Sequence, residues 1–162
     1  MRSPFTATLI AVIAFGLSVA VQPSSAQTRN PTTNEVARIR DCATRNGDDL
    51  EEGERLCLFK LVADPCAGRE ANTAATVDCY RAENSIWDGL LNENYKGLLD
   101  TLDNDQAAKL RAMQRAWVAY RDTTCQFYDD RIQGSMAITM HAACVTRETA
   151  RRAMLLKFFG RL

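Results

Sequence analysis

Apolar residues recur along this chain at helical spacing and nowhere alternate with polar ones over the length of a strand. Trp87, Leu91, Tyr95, Leu98 and Leu102 stand at steps of four, four, three and four, the repeat that lays one apolar stripe along a helix. The pattern predicts a helix of about seven turns beginning near Thr76. Asp103-Asn104-Asp105 breaks it and offers a cap for the next helix, in which Leu110, Met113, Trp117, Tyr120, Thr124 and Phe127 repeat the spacing as far as Ile132. Gly134-Ser135 then turns the chain into a final helix carrying Met140, Cys144, Leu155, Leu156 and Phe158.

The earlier part of the chain is more broken. Asn34 reads as the N-cap of a short helix through Arg45, stopped by Asn46-Gly47. Five acidic residues in 48–54 open the next helix, which is expected to run to Val62 and to be ended by Pro65. The stretch 64–76 reads as the longest loop, tethered by Cys66. Since no period-two stretch occurs, the fold class is all-α: a disulfide-stapled bundle of long antiparallel helices, with a short helical hairpin on its N-terminal side.

At the N-terminus, Met1 and Arg2 precede an almost unbroken apolar run over 7–21, and Ser24-Ser25-Ala26 supplies small residues where a signal peptidase reads. We therefore expect residues 1–26 to be a cleaved secretory signal, 27–33 a disordered leader, 34–65 a cysteine-braced helical hairpin and 66–162 the principal helical domain. The apolar run is short of the roughly 20 residues that span a bilayer. No cysteine follows it to take a lipid. The expected location is the periplasm or the exterior, with no stable membrane insertion once the signal is removed.

Cys42, Cys57, Cys66, Cys79, Cys125 and Cys144 all lie beyond the signal. They form no C-x-x-C pair and stand near no histidine cluster, which removes the usual signatures of zinc, haem and thioredoxin-like redox sites. Structural disulfides are the plain reading. Sequential pairing is favoured because each pair then straddles a turn signal: Asn46-Gly47, the segment 68–73, and Gly134-Ser135. Each such loop of about 14 to 20 residues would contribute roughly 3 kcal/mol in the chain-entropy account.

Lysines plus arginines and aspartates plus glutamates number 20 each, so no global field favours nucleic acid or an anionic membrane. Arg147, Arg151, Arg152, Lys157 and Arg161 complement the last helix's dipole and are too dispersed for a nucleic-acid stripe. His141 is the single histidine, no serine sits in a nucleophile elbow, and no phosphate-cradling glycine loop is present. Glu83 and Asp88 are five apart and do not share a helix face. We expect no catalytic, cofactor-binding or metal-binding residues.

W-V-A-Y-R-D-T-T-C at 117–125, Q-G-S at 133–135 and C-V-T-R-E-T-A-R-R at 144–152 stand out as motifs. Together with Cys79, Trp87-Asp88 and L-N-E-N-Y at 91–95, they are similar to the signature of the LprI-like lysozyme inhibitor family. The resemblance spans about 66–156. It implies a small exported bacterial protein with a helical, cysteine-braced domain that binds and blocks lysozyme. The hairpin of Cys42 and Cys57 lies outside the core motif.

Read physically, Trp87, Asn92, Tyr95, Trp117, Tyr120, Arg121, Asp122, Gly134, Ser135, Thr146 and Arg147 are mainly scaffold. Asn92 and Tyr95 are expected to form a hydrogen-bonded pair between helices, Arg121 to meet an acid across the bundle, and Asp122 to pair with Arg147. Contact with a partner is assigned instead to the hairpin tip, at Asp129, Asp130, Gly134 and Ser135, a narrow feature needing little ordering to enter a groove. The acidic run 48–54 reads as a solvated face. The function implied is lysozyme inhibition; the alternative is an envelope module that binds another cell-wall-associated protein without inhibiting it.

Overall fold

The computed structural model describes residues 29–47 and 49–162. The expected signal 1–26, the first two leader residues and Asp48 lie outside the described residues. Six helices follow: α1 (Thr33–Asn46), α2 (Leu50–Cys57), α3 (Ala63–Ala67), α4 (Thr73–Leu99), α5 (Asn104–Arg131) and α6 (Ser135–Phe159). No strand occurs among the described residues. The protein is an all-α bundle braced by disulfides Cys42–Cys57, Cys66–Cys79 and Cys125–Cys144, the sequential pairing.

Local chemistry sets the helix starts. α1 is capped by Thr32, whose hydroxyl accepts the Glu35 N–H while the Glu35 carboxylate accepts the Thr32 N–H, a reciprocal capping box. Asn34, expected as that cap, lies inside the helix. α4 begins a turn's length ahead of Thr76 because the Asn72 side chain accepts the Ala75 N–H. Asp103 caps α5 as expected, again reciprocally with Gln106. The acidic run 48–54 is partly consumed in the same way, since Asp49 accepts the N–H groups of Glu51 and Glu52 at the start of α2.

The segment after α2 departs most from expectation. Helix α2 stops at Cys57 rather than Val62, and Phe59 takes a positive φ of 65°. The cause is Glu83, a fully buried carboxylate reaching across from α4. Its oxygens accept the backbone N–H groups of Phe59 and Ala63, both at 2.8 Å, and the Trp87 indole N–H at 3.0 Å. Those donors would otherwise be buried without partners, and the carboxylate holds the chain in an irregular turn that a continuing helix could not adopt. Pro65 then sits in the first turn of α3, where its missing N–H costs nothing. The expected long loop over 64–76 is therefore mostly helix.

Helix α6 is the hub. It packs along α4, and also against α5 and α2. Ala142, Thr149, Ala150 and Ala153 are buried on it, and such small side chains let neighbours approach from several sides. The main core gathers Ile39, Trp87, Leu91, Leu110, Met154 and Leu156, so the hairpin of α1 and α2 closes one side of the bundle. Asn94 Nδ2 donates to the Ala153 carbonyl at 2.9 Å, and Lys157 Nζ to the Ala43 carbonyl at 2.8 Å, fixing α4 and α1 against α6.

Helix α5 stands apart from this arrangement. It packs on α6 while making little contact with α4. Its buried positions are Ala107, Leu110 and Cys125. Tyr120 and Phe127, placed on the inner stripe by sequence spacing, are instead exposed. A helix supported along one narrow line buries fewer residues per turn than one enclosed on two sides.

Candidate functional site

Two surfaces follow from the position of α5. The first is its junction with α6. Ile132 caps the end of α5, and Gly134, at φ 82° and ψ −162°, reverses the chain into α6. That backbone conformation is open essentially to glycine alone. Cys125 and Cys144, both buried, bridge the two helices behind the turn with a Cα–Cα separation of 5.5 Å. The hairpin tip is therefore covalently held on one side and tightly turned on the other.

Of the residues expected to make contact there, Gly134, Ser135 and Asp130 are exposed. Asp129 is not free: the His141 imidazole N–H donates to it, with Nδ1 and Oδ2 2.6 Å apart, and both side chains are half-buried. That pair lines a cavity of about 440 Å³ with Arg81, Asn84, Ile138, Ala142 and Val145. Near the same end, Phe127 and Met136 are each 64% exposed and Ile138 52%. These large apolar side chains were absent from the expected contact set, because helical spacing assigns Phe127 to the interior.

The second surface is a groove between α4 and α5. Asp88, Asn92 and Tyr95 line it from α4, and Arg111, Gln114, Arg115, Trp117, Val118 and Arg121 from α5, around a volume of about 450 Å³. Several residues of the W-V-A-Y-R-D and L-N-E-N-Y motifs thus face one open channel. Their expected pairings are corrected. Asn92 Nδ2 donates to Asp88 on its own helix at 3.0 Å rather than bonding Tyr95. Arg121 Nε donates to its neighbour Asp122 at 2.8 Å rather than to an acid across the bundle, and its guanidinium lies 5.0 Å from the Trp117 ring centre. Asp122 does not reach Arg147, whose guanidinium lies instead 6.0 Å from the Phe59 ring centre.

Other motif residues are structural in the strict sense. Trp87 is fully buried on Glu83. The buried Thr146 hydroxyl shares its proton between the carbonyls of Ala142, at 2.8 Å, and Tyr80, at 3.0 Å, which ties α6 to α4. Tyr120 is exposed and has no such role. The C-terminal basic residues do more than complement a dipole: Arg151 bonds Glu54 at 2.7 Å and Glu148 at 3.2 Å, joining α6 to α2. Arg152 is buried against Trp117, with the ring centre 5.7 Å away.

Cys66, Glu70 and Cys79 bring three ligand-type atoms together, but the two sulfurs are bonded to each other and hold no lone thiolate for a metal. No helix among the described residues is long and apolar enough to cross a membrane.

Residues 66–156 match the sequence model of a family described as "Lysozyme inhibitor LprI". The match runs from Cys66 in α3 to Leu156 in α6 and so takes in both surfaces. No curated protein and no solved structure matches the chain.

Proposed function

Since the chain belongs to the LprI lysozyme inhibitor family, whose match covers more than half of it, we propose that it is an exported protein that binds and inhibits lysozyme. The family match carries this reading. Three disulfides support it, because they form and persist in oxidising compartments, where lysozymes also act. The signal expected at 1–26 would deliver the chain to the periplasm or beyond.

We place the contact at the tip of the α5–α6 hairpin. Three features favour it: a disulfide about two helical turns behind the turn, exposed Phe127, Met136 and Ile138, and the exposed Asp130 carboxylate beside them. A pre-ordered apolar projection loses little entropy on docking. A carboxylate at its edge steers approach to a basic partner without supplying most of the affinity.

The test is lysis of cell-wall substrate by lysozyme in the presence of the purified, oxidised protein. Inhibition that saturates with added protein is expected. Lysis unchanged at large molar excess over several lysozyme classes overturns inhibition and favours a binding module for another cell-wall-associated protein. Within an active inhibitor, Phe127→Ala and Asp130→Lys should each weaken inhibition; full potency in both overturns the tip as the contact. Asp130 is the cleaner position for charge reversal, because altering Asp129 also breaks its bond to His141.

A further inference from the structure

Helix α5 carries Arg111 and Arg115 one turn apart, both exposed, and among the described residues neither is paired with a carboxylate. They line the groove between α4 and α5 together with Arg121, whose charge is already met by Asp122. The acid in that lining is Asp88, bonded to Asn92. α4 and α5 run in opposite directions from the turn at 100–103, so Asp88 and Arg121 lie far from the turn, and Arg111 and Arg115 lie nearer to it, opposite Tyr95. Asp100, Asp103 and Asp105, at the turn and the start of α5, do not line the groove. Its end nearer the turn is therefore positive.

The α5 wall of the groove, from Arg111 to Arg121, extends about 15 Å at the helical rise, roughly the reach of five residues of extended chain. Leu91 is buried in its floor and Tyr95 and Trp117 are half-buried, so an apolar side chain finds surface there. Gln114 gives its oxygen to Arg152 and keeps its NH₂ for a ligand carbonyl. Spacing then narrows the choice of ligand. Side chains one helical turn apart stand about 5–6 Å from each other. In an extended chain alternate side chains share a side and repeat at about 6.5 Å. Two acids separated by one residue therefore match Arg111 and Arg115, and the residue between them points across the groove toward Tyr95 and Leu91.

We propose that this groove docks a short extended segment of an acidic partner protein, in which two acids flank one apolar residue. Each carboxylate accepts from one of the two guanidinium groups, and the apolar residue covers Tyr95 and Leu91. Arginine suits that role because its planar fork presents N–H groups in the geometry a carboxylate accepts. Arginine clusters are a recurring means of reading acidic motifs. A basic partner is disfavoured at the same place by like charge, so the groove and the hairpin tip, with its exposed Asp130, select partners of opposite sign. The inference is independent of lysozyme inhibition.

The probe is acetyl-Ala-Glu-Leu-Glu-Ala-amide, titrated into the oxidised protein at low salt and followed by tryptophan emission. Trp117 lines the groove while Trp87 is fully buried in the core, so a saturable change in emission reports the groove. The peptide with Gln in place of both Glu should bind about tenfold more weakly, the scale of two partly exposed ion pairs. The isomer acetyl-Ala-Glu-Glu-Leu-Ala-amide, whose adjacent acids point to opposite sides, should bind several-fold more weakly at equal charge. Arg111→Glu with Arg115→Glu should lose the Glu-Leu-Glu peptide and take up its Lys-Leu-Lys counterpart, with a nearly unchanged melting curve because both arginines are exposed. The comparison of isomers uses the unaltered protein and decides the matter if the double variant is destabilised. Equal binding of the isomers, full affinity in a folded double variant, tighter binding of pyrophosphate, or no saturable binding at all overturns the proposal. So does self-association in sedimentation that the double variant abolishes, which gives the groove to a second copy of the chain.

Discussion

Glu83 accepts the indole N–H of Trp87 one helical turn away, and both side chains are fully buried. The same carboxylate accepts the N–H groups of Phe59 and Ala63. A single side chain thus fixes the rotamer of the largest core residue and the backbone of the irregular turn between α2 and α3. Its loss should be felt well beyond its own volume.

Glu83→Gln tests this with almost no change of shape. An amide has one acceptor oxygen, so its NH₂ must face one of the N–H donors that the carboxylate now satisfies. A buried donor left unpaired costs about 1–3 kcal/mol. Urea unfolding should show a loss of that size with an unchanged m-value. A change below about 0.5 kcal/mol, the scale of an ordinary surface substitution, would refute the assigned role.

The same pair of proteins yields a pH prediction. Burial raises the Glu83 pKa above its ordinary 4.5, and the N–H donors only partly offset it. The native state therefore holds this proton more tightly than the unfolded chain does. The stability Glu83 contributes is full below pH 4.5 and declines as pH rises through the folded-state value. Glu35 and Glu93 shift the opposite way. Burial alone would raise Glu35, but its bonds to Thr32 and Arg29 outweigh it, and Arg40 lowers Glu93. Their contributions are present above 4.5 and lost on acidification, so the raw profile of the protein mixes both signs. Subtracting the Glu83→Gln profile isolates Glu83. The advantage of Glu over Gln should be largest at the acid end and shrink toward neutrality; an advantage that grows with pH contradicts the shift.

Much of the bundle was legible because its signals are local. Turn residues between paired cysteines pointed to the disulfides, and the stripe of Trp87 and Leu91 is buried because α4 is enclosed by α6 and by the N-terminal helices. What was not legible depends on partners far away in the chain. Glu83 and Arg152 look in sequence like charges on a solvated face. Glu83 bonds Phe59 at a separation of 24 residues and Arg152 bonds Gln114 at 38. Tyr120 and Phe127 obey the helical period yet face outward, because the period marks a stripe without saying whether a second helix covers it. Spacing likewise gives no sign of the groove between α4 and α5 that several motif residues line.

Two glycine substitutions should move stability in opposite directions. A Cβ added at Gly89 or at Gly134 meets nothing within 4 Å, so neither change causes a clash. Gly89 lies inside α4, where alanine lowers the entropy of the unfolded chain and should stabilise by about 0.5–1 kcal/mol. Gly134, at φ 82° and ψ −162°, occupies a region that disfavours any Cβ, and alanine there should cost about 1–3 kcal/mol. Melting temperatures of the two single variants give the comparison directly. Shifts of the same sign would rule out backbone conformation as the cause.

The hairpin behind the proposed contact should depend on its own disulfide. Cys125 and Cys144 are 19 residues apart, and removing a cross-link over a loop of that size costs about 3 kcal/mol where unfolded-chain entropy dominates. Cys125→Ser with Cys144→Ser should therefore lower the denaturation midpoint substantially while leaving the helical content intact under native conditions. The effect should also be local. α5 packs on α6 and makes little contact with α4, so amides in 126–134, at the end of α5 and in the turn, have less packing to replace the cross-link than those of α6. Hydrogen exchange in the double variant should accelerate most in that interval, and least around Glu83 and Trp87. Uniform acceleration across the bundle would mean that the bond supports the whole fold, and the tip would then have no special claim on it.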